Sequence, residues 1–179
     1  MKTAILLIFI FLIPINGNSM IIDDLQNPES RKWIHFTDTV MGGISSGKLA
    51  YQIDDNEKYY RLTGDVNTEN NGGFIQFATE IKKVDNNNFT GIRLRVRGNG
   101  ESYQLHLRTR MTKLPWQYYS QEFITTEDWN VVELPFSKFK KSNFYQPKSF
   151  KPNAIRSIGI VAIGKDFQAE IDLAHIEFF

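Results

Sequence analysis

From Trp33 to the C terminus, apolar and polar side chains alternate in short runs, each closed by turn-forming residues. Period-two alternation sends neighbouring side chains to opposite faces of a strand. The clearest run is Gly91 to Gly98, where Ile92, Leu94 and Val96 point one way and Arg93, Arg95 and Arg97 the other. After Asn99-Gly100, Tyr103, Leu105 and Leu107 alternate with Gln104, His106 and Arg108. Asn-Gly between two such runs is a strong signal for a tight hairpin. It predicts one polar surface carrying the three arginines beside Gln104, His106 and Arg108.

The same reading gives strands at Trp33 to Thr37, Gly47 to Ile53, Tyr59 to Val66, Phe74 to Ile81, Trp116 to Thr125, Trp129 to Pro135, Ser157 to Ile163 and Ala169 to Phe179. Asp54-Asp55-Asn56, Asn67 to Gly73 and Asp85 to Asn88 supply turns and loops between them. The segment from Ser137 to Asn153 is basic and aromatic, holds two prolines and has no clear period. It reads as a long connection from one sheet to the other. Short strands separated by turn chemistry, with scarce helical patterns, predict an all-β sandwich of two antiparallel sheets. Trp33 and Trp129 each open a strand with apolar neighbours and are expected in the core.

The first residues carry a different pattern. Lys2 precedes an unbroken apolar run from Ala4 to Ile13, Pro14 ends it, and Gly17 and Ser19 stand two apart. This is the layout of a secretory signal peptide, and the spacing predicts cleavage after Ser19. The run falls short of the ~20 residues that span a bilayer. An uncleaved anchor, extended by Met20-Ile21-Ile22, is the alternative and would be the chain's only link to a membrane. The segment has no Arg and is not amphipathic, unlike a mitochondrial presequence. The expected organisation is therefore a signal segment at 1–19 and one domain at 20–179, exported to a periplasmic or extracellular space.

Removing residues 1–19 takes away one Lys and no acid, leaving 20 Lys+Arg against 20 Asp+Glu. A formally neutral chain lacks the positive excess on which nucleic-acid affinity rests, and no nucleic-acid partner is expected. With no Cys there is no disulfide framework, thiolate nucleophile or Cys-ligated zinc. His35, His106 and His175 form no metal-ligand spacing, so neither metal nor cofactor is expected. No nucleophile elbow, phosphate loop or dinucleotide fingerprint is present, and no catalytic residue is assigned. A sugar-acting hydrolase using Asp38 or Glu69 ranks last among the readings.

Candidate binding residues follow from side-chain chemistry. Arg95 and Arg108 present planar multi-donor groups suited to carboxylates, phosphates or sugar hydroxyls. His106 stands between them in the predicted surface. Trp116 and Tyr118 offer rings on which a sugar face stacks. Each has a plainer reading as a solvated strand charge or a packed ring. Asp38 and Asn71 belong to two turn-dense loops, Thr37 to Gly47 and Asn67 to Gly73. Asp38 is expected to cap Thr39 to Met41, as turn aspartates commonly do; the sharper alternative has it reaching the same pocket as Arg95. Asn71 bonds backbone or ligand.

Thr37-Asp38-Thr39-Val40-Met41-Gly42-Gly43-Ile44-Ser45-Ser46-Gly47, with Asn70-Asn71-Gly72-Gly73-Phe74 and Trp129-Asn130-Val131-Val132-Glu133-Leu134-Pro135-Phe136, resembles the complex I intermediate-associated protein family. That family is named for an assembly factor of respiratory NADH:ubiquinone oxidoreductase. The resemblance runs from about Trp33 to the C terminus. It implies a galactose-binding-like jelly roll, a fold seen in many carbohydrate-binding modules. It also implies non-catalytic, assembly-factor or chaperone-like work on a protein partner. A glycan bound on the polar sheet face is the alternative.

Overall fold

The computed structural model describes residues 19–54 and 57–179. The expected export segment, but for Ser19, lies outside the described residues, as do two of the three residues of the Asp54-Asp55-Asn56 turn. The described chain forms twelve strands: β1 (Met20–Asp23), β2 (Trp33–Thr37), β3 (Ser46–Asp54), β4 (Glu57–Val66), β5 (Phe74–Glu80), β6 (Gly91–Gly98), β7 (Ser102–Thr109), β8 (Tyr119–Ile124), β9 (Asn130–Pro135), β10 (Lys140–Lys141), β11 (Ile155–Ile163) and β12 (Phe167–Phe178). They build two antiparallel six-stranded sheets packed as a jelly roll. The first sheet runs β3-β4-β12-β6-β9 with β1 beside the far half of β12; the second runs β10-β8-β7-β11-β5-β2.

The alternation read from the sequence sets the inner faces. Ile92, Leu94 and Val96 of β6 and Tyr103, Leu105 and Leu107 of β7 are fully buried, and they meet Ile171, Leu173, Ile176 and Phe178 of β12 and Ile158 and Ile160 of β11. Truncating one such side chain to alanine costs about 2–5 kcal/mol. Trp33 joins this core and donates its indole N–H to the buried Asp23 carboxylate at 2.8 Å.

Three expectations need correction. First, Asn99-Gly100 does not close a hairpin. β6 pairs with β12 and β9 in the first sheet, and β7 pairs with β8 and β11 in the second. The turn is an arch between the sheets. Asn99 stays tied to the first sheet through its backbone N–H on Glu170 and its side chain on Gln168, and the Tyr103 hydroxyl beneath bonds Asn99 Oδ1 and Glu170. Second, Met20-Ile21-Ile22, joined to the leader only in the anchor alternative, belongs to β1, a strand absent from the sequence reading that pairs with the last one. Third, Trp129 lies outside the core. Its parity is that of Val131 and Glu133, whereas Val132 and Leu134 point inward, and its ring packs edge-on against Tyr59 on the outer face. The long connection does cross between the sheets: it leaves β9 through one 3-10 turn (Phe136–Lys138), adds β10 to the second sheet, and reaches β11 through another (Pro152–Ala154).

Candidate functional site

The glycine-rich loops build a cradle for one carboxylate. Asp38 is 0% exposed. Its Oδ1 accepts the Ser45 N–H at 3.0 Å, and its Oδ2 accepts the Ser45 hydroxyl at 2.5 Å, the Gly73 N–H at 2.5 Å and the Phe74 N–H at 3.2 Å. A Cβ on Gly72 would sit 2.5 Å from Oδ2, and one on Gly43 would overlap the same carboxylate. Only glycine at 43 and 72 lets both backbones close on the acid, while Gly42 and Gly73 supply the positive φ of the two turns. Burial works against the charge, but the hydrogen bonds from Ser45, Gly73 and Phe74 outweigh it and hold the carboxyl below its usual range. Asp38 holds its glycine turn, but not by capping Thr39 to Met41, and it does not share a pocket with Arg95. It reaches forward to the second loop, while Thr37 caps Thr39, and it faces no open pocket. Asn71 is exposed and, like Asn70, holds a positive φ, shaping the turn that delivers Gly72 and Gly73.

The arch separates the remaining candidates. Arg95 lies on the outer face of the first sheet, where every arginine of β6 is engaged. Arg97 and Arg61 both clasp the buried Asp172 at 2.7 Å, Arg93 bridges Glu133 and Glu177 at 2.8 and 2.5 Å, and Arg95 pairs with Glu57. The side-chain hydrogen bond to Asp172 raises the Arg61 pKa despite burial. The Arg95 and Arg97 guanidinium groups also lie 4.9 and 4.6 Å from the Trp129 ring centroid. This face is zipped by its own charges.

His106, Arg108 and Tyr118 instead share the outer face of the second sheet. The Tyr118 ring stacks on the His106 imidazole with centroids 3.9 Å apart and planes 12° from parallel. His106 Nε2 meets Gln104 Oε1 at 2.9 Å, and burial lowers its pKa to about 4, so the imidazole is neutral at ordinary pH. Arg108 donates to the Leu114 carbonyl at 3.0 Å and so anchors the β7–β8 loop. That loop carries Trp116, 58% exposed.

Two further aromatics, not singled out by the sequence reading, stand beside it. Phe144 and Tyr145 are 83% and 87% exposed. Their loop is stapled to the Trp116 loop. The Ser142 hydroxyl accepts from the Tyr118 N–H at 2.9 Å and donates to the Trp116 carbonyl at 2.7 Å, while Gln146 Nε2 donates to the Tyr118 carbonyl at 3.0 Å. Lys141 Nζ caps the turn on the Phe144 and Gln146 carbonyls. Adjacent aromatics in a lysine-flanked, turn-forming segment without a period were the available signal. Among the described residues no group of three or more His, Asp or Glu is placed to hold a metal ion, and no helix is long and apolar enough to cross a membrane.

Solved structures share this architecture. A family 11 carbohydrate-binding module of the cellulosomal cellulase Lic26A-Cel5E of Clostridium thermocellum superposes with a TM-score of 0.73 at 12% identity, over 90% of this chain and 94% of that one. The Clostridium thermocellum family 11 module in complex with a beta-1,3-1,4-mixed-linked tetrasaccharide gives a TM-score of 0.72 at 13% identity, over 90% and 95%. A family 30 carbohydrate-binding module gives 0.58 at 10% identity, over 80% of each chain. At these identities the likeness is one of fold. No curated protein matches the chain. The family model described as complex I intermediate-associated protein 30 matches residues 23–173, which takes in both arms of the Asp38 cradle and most of the sandwich, and the chain belongs to that family.

Proposed function

We propose that this is a non-catalytic binding protein that docks a protein partner, in assembly-factor or chaperone-like fashion, through the stapled loops bearing Trp116, Phe144 and Tyr145. One observation carries the reading: three large rings are held out in water by loops that bond to each other. Exposed aromatics are anchors of protein–protein interfaces, where a few such side chains supply most of the affinity. Loops fixed before binding lose less entropy on docking. Family membership supports the same reading, since the family is named for association with an assembly intermediate. The zipped face of the first sheet makes the weaker docking surface, because its charges are already paired. The test is quantitative capture of envelope proteins from the native host by the wild type and by a Trp116→Ala, Phe144→Ala, Tyr145→Ala triple variant. A defined partner retained by the wild type and lost in the variant is expected; a partner retained equally by both sinks the assignment of the surface.

A second reading, glycan binding, is favoured by the Tyr118–His106 stack. It offers a ring face beside the polar groups of Gln104 and Arg108, and carbohydrate-binding modules share the fold. A glycan array probed with the wild type and Tyr118→Ala separates the two readings. Retention of a neutral glycan that Tyr118→Ala abolishes supports it, and no glycan retained at millimolar concentration removes it.

A further inference from the structure

The chain as a whole carries a formal net charge of +1, but its cations are unevenly spread. Two hollows of about 700 and 380 Å³ open side by side at one end of the second sheet and share Glu80, Ile81, Lys82, Lys83 and Ser157. With shared residues counted once, seven cationic side chains line them against two carboxylates, Glu29 and Glu80. Three of the seven are committed. Arg31 donates to the Ile22 and Glu80 carbonyls, Arg108 donates to Leu114, and Lys83 lies 2.5 Å from Asp85. The other four, Lys32, Lys82, Arg110 and Arg156, are exposed and form no ion pair among the described residues. The contrast with β6, where each arginine has its acid, is sharp.

The backbone that carries these cations is fixed in place. The Arg110 N–H bonds the Ala154 carbonyl at 2.9 Å, and the Ile81 N–H bonds the Arg156 carbonyl at 2.7 Å. The ends of β7, β11 and β5 are thereby locked together, and Arg110, Arg156 and Lys82 emerge around one hollow. Guanidinium groups suit carboxylate and sulfate oxygens, each able to donate two parallel hydrogen bonds. Ser157 and Asn153 add groups that match sugar hydroxyls. Two adjoining hollows fit an extended chain better than a single small anion. No aromatic side chain lines the smaller hollow, which weighs against single-stranded nucleic acid, whose bases stack on aromatic rings.

We propose that this groove binds an anionic polysaccharide, with Arg110, Arg156 and Lys82 holding its carboxylate or sulfate groups. The proposal goes beyond the protein-partner reading and uses a different surface, so either can fail alone. The test measures binding of the protein to polygalacturonate, dextran sulfate, neutral dextran and polyglutamate at about 50 mM salt, where charge contacts are strong. The wild type is expected to bind both anionic glycans and not dextran. Arg110→Glu with Arg156→Glu is expected to weaken that binding by about tenfold or more, since it replaces two charge-assisted contacts with repulsion. Lys138→Glu with Lys148→Glu, an equal charge change on exposed residues outside the groove, is expected to leave binding within about twofold, as is the triple aromatic variant. Equal weakening by the lysine pair would overturn the proposal by making the attraction diffuse. So would tighter binding of polyglutamate than of either glycan, which would assign the groove to an acidic peptide, or no binding of either anionic glycan.

Discussion

Asp38 shows how one side chain organises two distant stretches of sequence. Its carboxylate takes four hydrogen bonds from residues seven to thirty-six positions ahead. Removing the acid strands several buried donors, each costing about 1–3 kcal/mol. Asp38→Ala is therefore expected to destabilise the protein by about 3 kcal/mol or more in urea denaturation. The same series run against pH carries two signatures. The Asp38 pKa is depressed in the folded state, so its contribution is present above the unfolded value of 3.8 and is lost as pH falls through the lower folded value. His106 is also depressed, from 6.5 to about 4, so the unfolded chain takes up a proton that the folded one refuses. Stability is expected to decline as pH falls from about 6.5 to about 4, and His106→Gln should remove that part of the slope; an unchanged slope in the variant would contradict the burial of a neutral imidazole. The turn-forming role of Asp38 was legible in the sequence, but its partners were not, because nothing local marks a bond to Gly73.

The strands themselves were legible because alternation is a local property: Leu94 and Leu105 face in, and Arg95 and His106, the latter buried beneath Tyr118, lie on the outer faces. Which strand bonds to which was not. Asn99-Gly100 satisfies a hairpin and an arch equally well, since both need a tight reversal with a positive φ at glycine. Only the competition of β12 and β9 for the edges of β6 decides it. That single difference divides Arg95 from His106 and Arg108, and it turns one imagined polar surface into two unlike ones. The parity of Glu133, four residues on, places Trp129 on the outer face. The aromatic loops depend on Ser142, whose hydroxyl serves both the Tyr118 N–H and the Trp116 carbonyl. Ser142→Ala is expected to cost about 1–2 kcal/mol locally. It should speed amide hydrogen exchange across 114–118 and 142–147 while the core strands keep their protection; unchanged exchange in those loops would show that the staple does not fix them.

At the scale of the molecule, the two outer faces divide the labour. The first sheet neutralises its arginines against Asp172, Glu57, Glu133 and Glu177, and Tyr59 and Trp129 fill the space between them. The second sheet leaves rings and cations unsatisfied at its rim. On the proposed reading, binding falls to the rim of the second sheet and the first sheet serves as scaffold. The most direct measurement places a photo-crosslinking amino acid at Phe144, within the stapled loops, or at Val131, on the zipped face, in the protein expressed in its native host. The account predicts that position 144 crosslinks to a defined protein and position 131 does not. Crosslinking from position 131 with none from position 144 would contradict it.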